Sequence, residues 1–184
     1  MKRLGVVSDI HGSISALEAG LKVLEGVDGI VFVGDILYHG PRNPLPEGYN
    51  PQGVIERLNA LDVPMVAVRG NCDAEVDTWV LNFPLYPYAL IVLEGWRVGV
   101  VHNLDDIDWG QWRNHLEIVV CGHTHIPMCR KKSGVLVFNP GSCALPKGES
   151  KPSVGMISVG SGKIRLCVLD MAGNPVLIRE LYHR

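Results

Sequence analysis

The chain has 184 residues, 47% of them hydrophobic and 20% charged, a balance that suits a single soluble globular domain over residues 1–184 and leaves no need for a second. Its net charge of −2, from 17 basic and 19 acidic residues, excludes a global field that would draw nucleic acid or an anionic membrane, so an anionic substrate has to be held locally. Five irregularly spaced cysteines exclude a fully paired disulfide framework and a paired zinc ribbon, and read as reduced thiols of a cytoplasmic protein.

In chain order, residues 3–8 predict the first strand. It stops at Asp9 and His11, so the apolar stretch behind Met1-Lys2-Arg3 is too short for a signal sequence, and no later run reaches the length of a membrane span. Ser15 and Glu18 have capping-box spacing and predict a helix to about residue 26. Residues 29–33 form a continuous apolar run, too short for a helix, that stops at Gly34-Asp35 and reads as a buried strand ending in a carboxylate. Residues 38–50 are irregular and proline-rich, longer than a plain connection needs, as functional loops often are. Asn50-Pro51 opens a helix to about residue 61, and residues 65–68 form the third strand. This βαβαβ alternation implies a parallel sheet with right-handed crossovers. Residues 73–83 read as a further helix, and Glu94-Gly95 joins the extended runs 88–93 and 96–101 as a hairpin. Residues 109–115 predict a short helix. The runs 127–131, 135–138, 154–159, 163–169 and 175–181 then predict a β-rich second half. Two sheets packed face to face, with helices outside, accommodate both halves.

The strand ends share a chemistry, because five apolar runs stop at Asp9, Asp35, Asn71, His102 and His123. A carboxylate just past a buried strand is either a helix N-cap or a group aimed into a crevice, and the repetition favours the crevice. In Asp9-Ile10-His11 and His123-Thr124-His125, extended backbone would turn the first and third residues to one side, so that each pair grips one site. A lone histidine is more often a satisfied core or surface group; five such strand ends reverse that weighting. Imidazole nitrogen with carboxylate and amide oxygen suits Mn²⁺, Fe²⁺, Zn²⁺ or Ni²⁺ better than Ca²⁺ or Mg²⁺. The absence of cysteine at the strand ends argues against a structural zinc.

Asp9-x-His11, Gly34-Asp35, Gly70-Asn71-Cys72-Asp73, His102 and Gly122-His123-Thr124-His125 follow in the order of the calcineurin-like metallophosphoesterases, which the chain resembles over most of its length. Residues 34–43 and 68–73, with Asn139-Pro140-Gly141-Ser142, look like the small bacterial YfcE-type phosphodiesterases. The resemblance implies an α/β fold, a four-layer αββα sandwich of two mixed sheets. It also implies that Asp9, His11 and His125 hold one divalent metal and Asn71, His102 and His123 a second, most aptly Mn²⁺, with Asp35 bridging two cations that lie about 3.5–4 Å apart. A hydroxide shared by the pair would attack the phosphorus of a small phosphodiester, making the chain a phosphoric diester hydrolase with Asp35, His102 and Cys72 as its catalytic residues.

Two departures bear on this expectation. Cys72 stands where many relatives have a histidine that protonates the leaving group. A thiol with a pKa near ~8.5 is a poorer donor and favours substrates whose leaving group departs easily; otherwise Cys72 only packs against the site. His102-Asn103-Leu104 stands where relatives commonly show His-Gly-His, and the acids Asp105 and Asp106 that follow either face the site or lie in a solvated loop. His39, Arg42 and Asn43 in the long loop are candidate substrate contacts, with arginine suited to clamp a phosphate; a surface role is the alternative. The four tryptophans read as core or interface aromatics. Val80, Leu81, Phe83 and Tyr86 are a candidate patch for a homo-oligomer. The same fold serves as a protein-binding scaffold in the retromer subunit that resembles these enzymes, so a non-catalytic scaffold is the alternative from another class. Phosphomonoesterase and nuclease are further ones, weakened by Cys72 and by the low net charge respectively.

Overall fold

In the computed structural model, which describes residues 1–112 and 114–182, the chain runs through β1 (Lys2–Val7), α1 (Ile14–Val23), β2 (Gly29–Phe32), α2 (Pro51–Asn59), β3 (Met65–Ala67), α3 (Asp77–Val80), β4 (Ala89–Leu93) and β5 (Trp96–Val100). It continues with a 3₁₀ turn (Leu104–Asp106), α4 (Trp109–Trp112), β6 (Ile118–Val120), β7 (Met128–Lys132), β8 (Val135–Asn139), β9 (Ser153–Gly160), β10 (Lys163–Asp170) and β11 (Pro175–Tyr182). The first sheet has six strands in the order β11-β10-β9-β1-β2-β3 and the second has five in the order β4-β5-β6-β8-β7. Both are mixed. β1, β2 and β3 are parallel to one another while β9 joins β1 antiparallel, and β5, β6 and β8 are parallel while β4 and β7 flank them antiparallel.

Side-chain parity divides the layers. Val6 and Val31 meet Val98, Val100, Ile118, Val120 and Phe138 between the sheets. Their neighbours Val7, Ile30 and Phe32 point the other way, onto Leu17, Leu21, Val54 and Leu58 of α1 and α2. Val119, Val135 and Val137 likewise turn outward onto Leu104, Ile107, Trp109 and Trp112. Helices, sheet, sheet and the 104–112 segment make the four layers expected. Among the described residues no helix is long and apolar enough to cross a membrane. All five cysteines are unpaired.

Several local expectations are corrected. Helix α1 is capped by Ser13, whose Oγ accepts from the Ala16 amide at 3.2 Å, not by Ser15. The loop through Glu47 returns over the helix start and takes the Ser15 hydroxyl on the Glu47 carbonyl, while Glu18 pairs with Arg57. The Asn50 cap of α2 holds as expected, accepting from the Gly53 amide at 3.0 Å. The helix expected over residues 73–83 shrinks to α3, because the Asp73 carboxylate is taken by distant backbone amides described below. Of the expected helix over residues 109–115, α4 covers Trp109–Trp112; Arg113 lies outside the described residues. The self-association patch is also reduced. Leu81 is buried and the Phe83 ring stacks on Phe32 at 6.2 Å, which leaves Val80 and Tyr86 exposed. Trp96 is core and Trp79 is 76% exposed.

Candidate metal centre

Eight non-glycine residues among those described have positive φ. Glu94, Ser133 and Ser161 precede glycines in hairpin turns; the other five are Asp9, His11, Asp35, His123 and His125, at φ 56, 50, 54, 67 and 59°. A left-handed L-residue carries a strain of roughly 1–2 kcal/mol, so its concentration in these positions marks a place where the surrounding fold over-determines the backbone. Extended geometry was expected to point each Asp-x-His or His-x-His pair at one site. The chain instead reverses at each strand end, and His123 and His125 part company.

Asp9, His11, Asp35 and His125 converge, all buried, with one ligand atom of each within 4.8 Å of the others. His11 Nε2 lies 3.2 Å from His125 Nε2, and His125 Nε2 lies 3.3 Å from Asp9 Oδ1. Beside this group, Asn71 Oδ1 sits 3.2 Å from His102 Nε2 and 2.7 Å from His123 Nδ1. Asp35 stands between them, its Oδ2 3.7 Å from His11 Nε2 and 3.5 Å from His102 Nε2. All seven residues expected as ligands are therefore brought together, in the two groupings the resemblance implied.

Hydrogen bonds around the cluster orient its lone pairs. The Nδ1 atoms of His11, His125 and His102 face the carbonyls of Tyr38 (2.9 Å), Leu145 (2.5 Å) and Val33 (2.6 Å). A carbonyl only accepts, so each Nδ1 carries the proton and each Nε2 presents its lone pair inward. Two inward lone pairs at 3.2 Å repel unless an electrophile lies near both. Asp9 Oδ1 is buried and has no hydrogen-bond donor, while Oδ2 accepts from Ser8 Oγ at 2.6 Å. An unpaired carboxylate oxygen among imidazole lone pairs fits a divalent cation, or a proton in its place. Burial favours the neutral imidazole at three of the four histidines, pushing His11 and His123 down and His125 down to about 4. Burial, aided by the Asp35 charge, pushes the Asp9 carboxyl up to about 7.

Supporting residues explain the motifs around the ligands. Asp73 accepts from three backbone amides, Asp35 (2.8 Å), Ile36 (2.7 Å) and Gly70 (2.7 Å), tying the β2 and β3 ends together. A Cβ on Gly70 would collide with the Asp35 carboxylate, so only glycine permits that approach. Asn139 donates to the Gly122 carbonyl (2.7 Å) and Thr124 Oγ1 (3.1 Å), and Ser142 donates to the Asp9 carbonyl at 2.7 Å. The Asn139-Pro140-Gly141-Ser142 stretch thus braces the histidine loop against the first strand end. Burial pushes the Asp73 carboxyl up even against its three donors. Asp73→Asn, which leaves an NH₂ group against backbone N–H donors, is expected to destabilise the fold by about 2–3 kcal/mol and to weaken metal binding by about 10–100-fold. Denaturant melts and elemental analysis check this; unchanged values in both would remove the bracing role.

A cleft beside the ligands is lined by Asp35, Arg42, Asn43, Cys72, His123 and Lys147, among others. Arg42 and Asn43 are placed on it, although the Asn43 amide donates to the His39 carbonyl at 2.8 Å. His39 is not on its wall: its ring packs edge-on to Tyr38 and Tyr49, at 4.7 and 5.3 Å. Lys147, isolated between Pro146 and Gly148 in sequence, carried no signal; only the fold brings it across from Arg42. The Cys72 amide donates to Asp35 Oδ1 at 2.8 Å, and burial with the Asp35 charge pushes its thiol up to about 12. Leu104 turns away from the site into the outer apolar layer.

The calcineurin-like phosphoesterase superfamily domain matches residues 1–162. The phosphodiesterase YfcE of Escherichia coli is 42% identical over 167 residues, covering 85% of this chain and 88% of that protein. The solved structure of E. coli YfcE, a phosphoesterase, superposes with a TM-score of 0.84 at 37% identity over 96% of this chain and 98% of that one. Vacuolar protein sorting 29 from Cryptosporidium parvum shares the fold, with a TM-score of 0.70 at 19% identity over 99% and 98% of the two chains. Its sequence matches and its metal-ligand geometry agree: the chain belongs to the calcineurin-like phosphoesterase superfamily.

Proposed function

We propose that the chain is a metal-dependent phosphodiesterase acting on small phosphodiesters. The observation that carries this reading is the convergence of Asp9, His11, Asp35 and His125, all buried and with Asp9 Oδ1 unpaired, beside Asn71, His102 and His123. In this reading Asp9, His11 and His125 hold one cation, Asn71, His102 and His123 hold another, and Asp35, whose Oδ2 faces both groups, is shared. The mixed nitrogen and oxygen donors suit Mn²⁺ first, with Ni²⁺, Zn²⁺ or Fe²⁺ as competitors. Divalent cations held there supply the Lewis acidity that makes water a nucleophile and neutralises phosphoryl charge. The residues do the rest: Asp35 fixes the spacing of the two groups, Arg42 and Lys147 draw the phosphate into the cleft, and backbone carbonyls lock the imidazole tautomers. The similarity to E. coli YfcE, named a phosphodiesterase, supports the diester class. The reading takes residues 1–184 as one cytoplasmic domain with no nucleic-acid or membrane partner, able to self-associate through the exposed Val80 and Tyr86.

Metal-stripped protein reconstituted with Mn²⁺, Ni²⁺, Zn²⁺ or Mg²⁺ and assayed on diesters and monoesters tests the proposal. Metal-restored hydrolysis of bis(4-nitrophenyl) phosphate is expected; metal uptake with no turnover on any ester would favour a scaffold instead.

Cys72 bears on the choice between ester classes. A thiol held at about 12 is a slow proton donor near neutral pH, so an alkoxide has to leave largely unassisted. Cys72→His is expected to raise the ratio of monoesterase to diesterase activity by roughly tenfold or more, since an imidazole titrates near the working pH. A variant that loses diesterase activity and gains nothing would make Cys72 a packing residue.

A further inference from the structure

A second cavity, of about 680 Å³, lies between the edge strand β4 and the segment that follows β5. Gly70, Asn71 and His102 are among its lining residues, and Asn71 also lines the Arg42–Lys147 cleft, so the two spaces share a residue of the candidate metal centre. Their walls differ. The cleft presents Arg42 and Lys147, whereas the cavity presents an apolar wall of Tyr88, Leu90, Ile107 and Trp112. Tyr88 and Leu90 are 61% and 53% exposed, and the Tyr88 and Trp112 rings stand 6.0 Å apart at 57°. Among the described residues Asp106 and Asp108 outnumber the one guanidinium on that wall, Arg69, which disfavours a further anion there. A volume in the range that holds a drug-sized ligand, with an exposed Tyr88 beside a half-buried Trp112, is the form of a small-molecule site.

A phosphodiester has two ester arms on one phosphorus. With its phosphoryl group at Asn71 and His102, one arm faces the cationic cleft and the other faces this cavity. Resting on the phosphodiesterase reading above, we infer that the Tyr88–Trp112 cavity is the subsite for an aromatic ester arm, an aryl or nucleoside group bearing no further phosphate, and selects asymmetric diesters. Asp106, left open between a site contact and a solvated loop at the level of sequence, then belongs to the substrate-facing wall.

Calorimetric binding of non-hydrolysed probes to the Mn²⁺-reconstituted full chain tests this separately from turnover. Methyl(phenyl)phosphinate, which carries P–C bonds in place of both ester bonds, is expected to bind roughly tenfold tighter than dimethylphosphinate. Tyr88→Ala, at an exposed position, and Trp112→Ala should each shrink that ratio toward one by weakening only the phenyl probe, and Tyr88→Phe should keep it. (4-Carboxyphenyl)(methyl)phosphinate should bind more weakly than the phenyl probe, and Asp106→Asn with Asp108→Asn should close that gap. A wild-type ratio near one, or a ratio retained in Tyr88→Ala, overturns the subsite. Failure of the wild type to hydrolyse bis(4-nitrophenyl) phosphate with any metal would overturn the parent reading instead.

Discussion

Asp35→Asn is expected to lower phosphodiester hydrolysis by roughly 10³-fold or more while leaving the protein folded. The substitution preserves volume. Its carbonyl can still accept from the Cys72 amide, as Asp35 Oδ1 does at 2.8 Å. The NH₂ group would then take the place of Oδ2, 3.7 Å from His11 Nε2 and 3.5 Å from His102 Nε2, and turn N–H donors toward two lone pairs that otherwise await a cation. The change also removes one of the charges that push the Asp9 carboxyl up. The metal-free variant should therefore melt no lower than the metal-free wild type, whereas its metal content falls at both positions, because the shared anion is gone. Elemental analysis and melting curves in chelator give the two readouts. Wild-type metal content in the variant would end the bridging role, and a collapsed melting temperature without metal would show Asp35 to be structural.

The strand ends were legible because their signal is local: a short apolar run, a glycine and a ligand-type side chain. The hairpins at Glu94-Gly95 and Ser133-Gly134 were legible for a similar reason, since both positions adopt the positive φ the turn demands. What escaped was set by distant partners. Asp73 has the composition of a helix start, yet its carboxylate is taken by the amides of Asp35 and Ile36, and no local propensity encodes a bond across that separation. Ser15 lost its cap role to a loop returning from Glu47. Lys147 joins Arg42 only through the fold, and His39, beside the motif, is drawn aside by Tyr38 and Tyr49. The pairing rule held for Asp9-x-His11, whose side chains share one cluster, and failed for His123-x-His125, because it assumed pleated backbone where the chain adopts left-handed reversals.

Metal affinity should fall about tenfold for each pH unit below 7, with the Asp9 carboxyl proton as the main cause. A site of four ordinary histidines would instead be opposed by imidazolium below their usual pKa near ~6.5. Burial weakens that competition for His11 and His123, both pushed down, and removes it for His125, which at about 4 is neutral without metal across the mildly acidic range. The Asp9 carboxyl moves the other way, up to about 7. The metal-free site thus holds a proton on Asp9 below neutrality, the cation has to displace it, and acidification weakens binding in proportion to proton concentration. Only toward pH 4, where His125 begins to take a proton, should the dependence steepen. Calorimetric titration with Mn²⁺ at pH 6, in buffers of different ionisation enthalpy, is expected to show release of roughly one to two protons per chain, the Asp9 proton among them, where four unshifted histidines would release roughly three from their side chains alone. The acid limb of the pH–rate profile should move to lower pH by about one unit for each tenfold rise in Mn²⁺. Release of three or more protons at pH 6 would return the competition to the imidazoles, and no release would mean that Asp9 is already ionised in the metal-free protein.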